Sequence, residues 1–495
     1  MKIARKIDVN DNVAVAIKNL SAHEVIIVDN RKIELKENIK RGHKIALKNI
    51  EKGKNVIKYG YPIGHAIENI ESGAWVHAHN LKTNLSGINE YTFKQNINKT
   101  YFEDEHKSFK GYLRADGEAG IRNELWIVPT VGCVNGIADA IINKFKRRAD
   151  IKKVDSIDVF KHNYGCSQLG NDHENTKMIL GNIIKHPNAG GVLILGLGCE
   201  NNSMPAFKES LGSYDKNRVR FLVAQEVNDE IEEGVDLLKE LYQNMLHDAR
   251  VEIPLSKLRI GLKCGGSDGF SGITANPLLG AFSDYLISQG GTAVLTEVPE
   301  MFGAETILMN RCRNKEVFNK TVSLINDFKN YFMSYNQVVY ENPSPGNKEG
   351  GISTLEDKSL GCIQKGGNAP IVDVLKYGEL LKKSGLNLLS APGNDLVSST
   401  ALGASGCQLI LFTTGRGTPF GCFVPTMKVS TNSQIYDLKR HWIDFNAGVL
   451  LEDRPEKIVL NKLIKRIIKV ASGQLVNNEK NGIREIAIFK SGVTL

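Results

Sequence analysis

Long apolar runs are missing from this chain. The longest wholly apolar stretch, Gly190–Gly198 (GGVLILGLG), is far shorter than the ~20 residues that span a bilayer. The opening residues, MKIARKIDVNDN, contain no continuous apolar stretch of the kind a secretory signal needs. No membrane partner is expected, and a cytoplasmic location is. Charge of one sign is also scarce: 63 Lys+Arg against 55 Asp+Glu leaves +8 over 495 residues. Acids and bases are interspersed and no basic tail exists, so nucleic acid is not an expected partner. The mild positive balance suits a small anionic substrate. There is no C-x-x-C pair, and eight cysteines in so long a chain read as thiols, ligands or core residues, not disulfides. Also absent are G-x-G-x-x-G after a strand, G-x-x-x-x-G-K-[ST], G-x-S-x-G and H-E-x-x-H, which removes the main support for dinucleotide, P-loop, serine-hydrolase and zinc-protease chemistry.

Glycine is plentiful, at 47 residues. No collagen period accompanies it, so these residues serve turns and close backbone approaches. Residues 1–90 carry short β-rich runs (Val13–Ile17, Glu24–Val28, Val56–Tyr59) between polar turns and read as a small β domain. Residues 91–110 are polar and weakly periodic, as in a linker. From Gly111 the pattern becomes strand–turn–helix. Apolar runs at Leu125–Val131, Ser156–Phe160, Gly191–Leu197 and Phe221–Ala224 alternate with helical spacing, and a second series starts at Arg259–Lys263. This predicts an α/β fold of mostly parallel sheets, with one α/β domain at 111–250 and another at 251–495. Residues 343–367 and the stretch leading to Asn432 read as long loops.

One regularity crosses the first α/β region. Gly132-Cys133, Gly165-Cys166 and Gly198-Cys199 recur every 33 residues, each followed two residues later by an amide: Asn135, Gln168, Asn201. Each pair sits where a strand run ends and a helix begins. Parallel strands share that edge, which is where ligands bind. A helix N-terminus favours the thiolate, and three thiolates suit iron, zinc or an iron–sulfur cluster with one position left for substrate. Small apolar residues in tight turns are the plainer alternative.

Histidines form a second group. Strand alternation through Val76-His77-Ala78-His79 would place His77 and His79 on one face, able to share a metal or a carboxylate. His162, four residues before Cys166, suits a general base or ligand, or a turn hydrogen bond; His65 and His173 are weaker candidates. The third group is Gly/Ser/Asn-rich: Lys263–Asp268 with Ser271–Asn276, Asn342–Lys348, Pro392–Asp395, and Thr414–Gly421 leading to Lys428 and Asn432. These loops offer N–H groups, hydroxyls, amides and cations, the groups that recognise a carboxylate and a polyol.

Longer composite motifs carry a resemblance. GYPIGHA (60–66), VHAHN (76–80), RNELWIVPTVGCVNGIA (122–138), YGCSQLG (164–170), GLGCENN (196–202), CGGSDGFSGITANP (264–277), TEVPEMFGAE (296–305), ENPSPGNKEGGISTLEDKSLGC (341–362), APGND (391–395), TGRGTPFG (414–421) and FKSGVTL (489–495) run in order through the chain. The sequence resembles the altronate/galactarate dehydratase family of sugar-acid dehydratases. The resemblance implies an N-terminal β-clip domain of the SAF type, ahead of the α/β dehydratase portion. It also implies a hydro-lyase of hexuronate catabolism that converts D-altronate to 2-dehydro-3-deoxy-D-gluconate. Ferrous iron is the implied activator, with Mn2+ as a substitute and an iron–sulfur cluster as an alternative form. On this reading Cys133, Cys166 and Cys199 hold the iron, His77 and His79 close over it, and His162 is the base. Lys263, Lys348, Arg416 and Lys428 meet the carboxylate and the developing charge, while Asn276, Asn394 and Thr418 read hydroxyls. A homo-oligomer is expected. The rival readings are a sister enzyme acting on galactarate or a sulfonated hydroxy acid, a nucleotide-dependent oxidoreductase, and a non-catalytic sugar-acid binding module.

Overall fold

Strands that read as continuous apolar runs belong in parallel sheets covered on both faces. The computed structural model, which describes residues 3–98, 102–149 and 151–494, contains two such sheets. The smaller has four parallel strands, with Glu124–Pro129 between Ile157–Val159 and Ala189–Gly196, and Val219–Val223 at the edge. The larger has seven parallel strands, in the order Ile371–Leu375, Gly385–Leu389, Thr292–Leu295, Arg259–Cys264, Leu409–Thr414, Thr426–Ser430, Phe445–Asn446. Ahead of them, residues 3–84 form short antiparallel sheets, including Val13–Ala16 paired with Lys44–Ala46 and Asn55–Lys58 paired with Tyr61–Ala66. The expected β domain followed by mostly parallel α/β units is therefore present.

Alternation along the large sheet separates its two faces. Ile260, Leu262, Leu411, Met427 and Val429 share one apolar core with Val13, Ala46, Val56 and Ile63 of the β domain. Val294, Ile410 and Phe412 share another with Trp126, Phe160 and Ile194 of the four-stranded unit. The β domain thus packs toward one face of the sheet and the four-stranded unit toward the other.

Three segments depart from the sequence reading. The expected linker at 91–110, apart from residues 99–101, which lie outside the described residues, is packed and in part ordered as a strand. Ser108–Leu113 pairs antiparallel with Val251–Pro254, and Phe93 and Phe102 rest on Phe318 and Tyr285. The charges and weak periodicity around Phe93, Phe102 and Phe109 hid that packing. The Gly-rich segment 343–367 contains the fully buried helix Leu355–Cys362, whose N-cap Thr354 accepts from Asp357 N–H. Its side chains are polar because the helix meets other polar groups, so no amphipathic stripe betrays it. The stretch before Asn432 contains the buried strand Thr426–Ser430.

Candidate active site

The carboxyl ends of the large sheet gather the buried chemistry. The strand Arg259–Cys264 delivers Lys263 and Cys264, and the turn after Thr292–Leu295 delivers Glu297 and Glu300. The helix Leu355–Cys362 supplies Lys358 and Cys362 one turn apart, and the single turn Ile363–Gly366 supplies Lys365. Cys264 Sγ lies 3.3 Å from Cys362 Sγ, and Glu300 Oε2 lies 3.3 Å from Cys264 Sγ and 3.1 Å from Cys362 Sγ. Lys365 Nζ donates to Cys264 Sγ at 2.9 Å and to Glu297 Oε2 at 3.2 Å. Lys263 donates to Glu297 on its other oxygen and pairs with Asp395 at 2.7 Å. Lys358 pairs with Glu300 at 2.8 Å. Glu297 occupies the left-handed region (φ 69, ψ 58), where a non-glycine residue costs about 1–2 kcal/mol. Its carboxylate accepts from Cys264 N–H and both lysines, and those bonds hold it in that conformation.

Electrostatics follow from burial and pairing. Burial raises the Glu297 carboxyl, against the opposing pull of Lys263 and Lys365. Burial acts the same way on Glu300, but Lys358, Lys263 and Lys365 overcome it and hold that carboxyl at about 2. The Cys362 thiol is pushed well up by its contact with Cys264 and by burial. Burial opposes the Lys365 charge, yet Cys264 and Glu297 keep the ammonium firmly protonated.

The β domain reaches the same helix. Asp357 accepts from Lys44 and Lys58, both at 2.8 Å, with all three side chains at most 2% exposed. Burial alone would raise the Asp357 carboxyl, but the two ammoniums hold it below the usual range. Glu356 accepts from Thr83 and from Asn84 N–H.

The sequence-derived candidates fall in several places. Lys263 lies in this centre. Cys133, Cys166 and Cys199 lie on neighbouring loops at the carboxyl edge of the four-stranded sheet, and all three are exposed. Two of the amides after them stitch those loops together: Asn135 donates to His162 C=O at 2.8 Å, and Asn201 accepts from Ser167 N–H at 2.8 Å, while Gln168 accepts from Gly165 N–H in its own loop. Glycine precedes each cysteine because the loops touch; a Cβ on Gly165 would meet Thr130 C=O at 2.0 Å. Among the described residues the only three metal-capable donors within 4.8 Å of one another are Cys264, Glu300 and Cys362, not these three thiols.

His162 is buried with both ring nitrogens committed. Nε2 donates to Pro129 C=O at 2.8 Å and Nδ1 accepts from Tyr164 N–H at 3.1 Å. Burial lowers its pKa, so it locks a turn as a neutral ring, which leaves no free nitrogen for a base. His77 and His79 lie in a turn after the short strand Trp75–Val76, not on one strand face. Both rest against the Trp75 indole, at 5.2 and 4.8 Å, and His77 Nδ1 meets Ser353 Oγ at 2.9 Å. Burial and nearby Lys44 push the His77 pKa down to about 3.

Asn276 is spent on structure, donating to Gly361 C=O and accepting from Thr413. Asn394 caps the helix Asp395–Ala404, and Thr418 Oγ1 accepts from Phe420 N–H in its own turn. Arg416 pairs with Glu349 at 2.9 Å on the surface, and Lys348 is exposed one residue earlier. Lys428 is fully buried on its strand.

Sequence reasoning missed Cys264, Glu297, Glu300, Cys362, Lys358 and Lys365 as a group. The Glu-x-x-Glu spacing of 297 and 300 was the one local signal, and the fold alone brings the rest together.

The donor set suits a divalent ion. Lys263, Lys358 and Lys365 balance Glu297, Glu300 and Asp395 when both thiols are protonated. Loading a divalent cation with release of the two thiol protons leaves that balance unchanged.

A buried centre of lysines, carboxylates and thiols at the carboxyl rim of a parallel sheet defines an α/β enzyme. Three domains described for known families match in order: the altronate/galactarate dehydratase SAF domain at 3–84, the D-galactarate dehydratase/altronate hydrolase second domain at 111–246, and the D-galactarate/altronate dehydratase C-terminal domain at 255–494. The chain is similar to the altronate dehydratase of Bacillus subtilis (strain 168), 62% identical over 497 residues and 100% of both chains. It is similar to the altronate dehydratase of Escherichia coli (strain K12), 55% identical over 99% of both. The L-threo-forming galactarate dehydratase of Escherichia coli (strain K12) is more distant, at 32% identity over 89% of this chain and 88% of that one. The chain belongs to the altronate/galactarate dehydratase family. Among the described residues no helix is long and apolar enough to cross a membrane.

Proposed function

We propose that this chain is a hydro-lyase that removes water from D-altronate to give 2-dehydro-3-deoxy-D-gluconate. The observation that carries this reading is the Lys263–Glu297–Lys365 arrangement, a buried carboxylate held between two ammoniums. The proton next to a carboxylate is weakly acidic, because its loss places a second negative charge on the same group. Lys263 and Lys365 stabilise that charge as it develops. Glu297, with its carboxyl raised by burial, takes the C2 proton and delivers it to the departing C3 hydroxyl, so that water leaves and the enol tautomerises to the ketone.

Ferrous iron, or Mn2+ in its place, is assigned to Cys264, Glu300 and Cys362 in preference to Cys133, Cys166 and Cys199. The support is the gathering of the first set within 4.8 Å and its charge balance. When bound, the metal supplies Lewis-acid stabilisation of an oxyanion. The family resemblance fits a small sugar acid as partner, a cytoplasmic location and a homo-oligomeric assembly.

The test is an anaerobic assay with added Fe2+ on D-altronate and D-galactarate, with detection of 2-keto acid. Altronate turnover that drops by at least ~100-fold in Glu297→Gln is expected for loss of an acid–base group. No keto acid from altronate, or full activity in the variant, would overturn the proposal.

A further inference from the structure

Lys428 is 0% exposed, and its Nζ has no hydrogen-bond partner. Register places it level with Phe412, and Phe412 level with Lys263, along one row of the large sheet. The two ammoniums lie 5.9 and 5.6 Å from the centroid of the Phe412 ring. Lys263 already pairs with Glu297 and Asp395 and donates to Cys264 C=O. The acids that act on Lys428 at longer range, Asp444 and Asp395, are already engaged. Asp444 accepts from the N–H groups of Lys428 and Asn477 at 2.8 and 2.9 Å, and Asp395 pairs with Lys263.

A phenyl face near the limit of cation–π range recovers little of what a buried ammonium loses by leaving water. Burial accordingly lowers the Lys428 pKa to about 8, against the opposing pull of Asp444 and Asp395. No carboxylate contacts its Nζ directly. Asp395, linked to this row through Lys263, has a side chain 33% exposed.

We propose that Lys428 is the socket for the substrate carboxylate, pairing with C1 so that the neighbouring C2 lies toward Lys263 and Glu297. This rests on the sugar-acid reading above and deepens it by naming the group that recognises the acid. The ligand completes a charge pair that the free protein leaves open. Loss of the pair should therefore weaken the acid and spare a neutral analogue.

The experiment compares the parent with Lys428→Met. The readings are KM for D-altronate, the inhibition constant of D-altritol (CH2OH in place of the carboxylate), and the thermal midpoint of the ligand-free protein. A charged hydrogen bond of this kind corresponds to roughly a 10- to 100-fold rise in KM. The altritol constant should stay put, and the midpoint should hold or rise, because the variant removes an unpaired buried charge. Lys428→Gln, read the same way, covers poor folding of the Met variant. Equal weakening of altronate and altritol, no weakening of either, or a lowered midpoint in both variants would overturn the socket. A parent that fails to turn over altronate would instead overturn the sugar-acid reading.

Discussion

Replacing Asp357 by Asn should loosen the contact between the β domain and the helix that carries Lys358 and Cys362. The carboxylate holds Lys44 and Lys58 at 2.8 Å each, inside a site where all three side chains are at most 2% exposed. Asparagine keeps the shape and removes the charge, so two buried ammoniums lose their counter-ion. Breaking a buried pair in this way costs about 3–5 kcal/mol. A 4 kcal/mol loss lowers the melting point of a domain this size by about 10 °C.

The sign of the pH dependence is fixed as well. A lysine discharged in the fold has its folded pKa below the unfolded value, so the unfolded chain binds more protons and stability rises with pH. Lys44 is already held down at about 8 in the parent, so the pH-dependent part of the deficit comes from Lys58, which Asp357 keeps charged above its ordinary range; the deficit should narrow as pH rises from about 8 through 10.5. Calorimetry of the parent and Asp357→Asn at both ends of that window is the assay. A deficit under about 1 kcal/mol, or one that does not change with pH, would refute the clamp.

Metal content should separate the two thiol sets: Cys264→Ser and Cys362→Ser should each lower iron bound per chain, measured by elemental mass spectrometry, while Cys133→Ser, Cys166→Ser and Cys199→Ser should not. In the native protein Cys133, Cys166 and Cys199, the exposed thiols of the eight, should react quickly with Ellman's reagent, and the remaining five only after unfolding; fast reaction of Cys264 or Cys362 would contradict their burial. His162 and His186 are held neutral by burial, whereas the unfolded chain protonates them near pH 6.5. Stability is thus complete above that pH and falls by about 1.4 kcal/mol per pH unit for each ring below it. Replacing both by Gln should flatten the acid limb of a denaturant–pH series.

The repeated α/β grammar was readable because strands such as Ala189–Gly196 are apolar throughout, and helices such as Glu230–Met245 carry a capping Asp229. The SAF-type domain was readable from its short β runs together with the composite motifs. The centre was mostly not readable. Lys263 stood out because it opens a glycine loop, but Cys362 and Lys365 lie in a stretch whose glycines and charges suggested loop. Their partners are 98 and 68 residues away, at 264 and 297. The Gly-Cys repeat was a true regularity with a structural cause: glycine admits the neighbouring loop and the amide fastens it. His162 shows the limit of residue type as a guide, since only the backbone groups around its ring decide whether a nitrogen is free.

Consecutive residues Lys263 and Cys264 point to opposite sides of one strand, and the two sides are walled by different parts of the chain. The row holding Lys428 belongs to the side shared with the four-stranded unit, whereas Cys264 and Cys362 belong to the side shared with the β domain. Selection can then retune which acid is accepted by altering the wall beside Lys428, while the opposite wall keeps Cys264 and Cys362 in register. Such a division of labour allows relatives to diverge in taste without relearning the reaction.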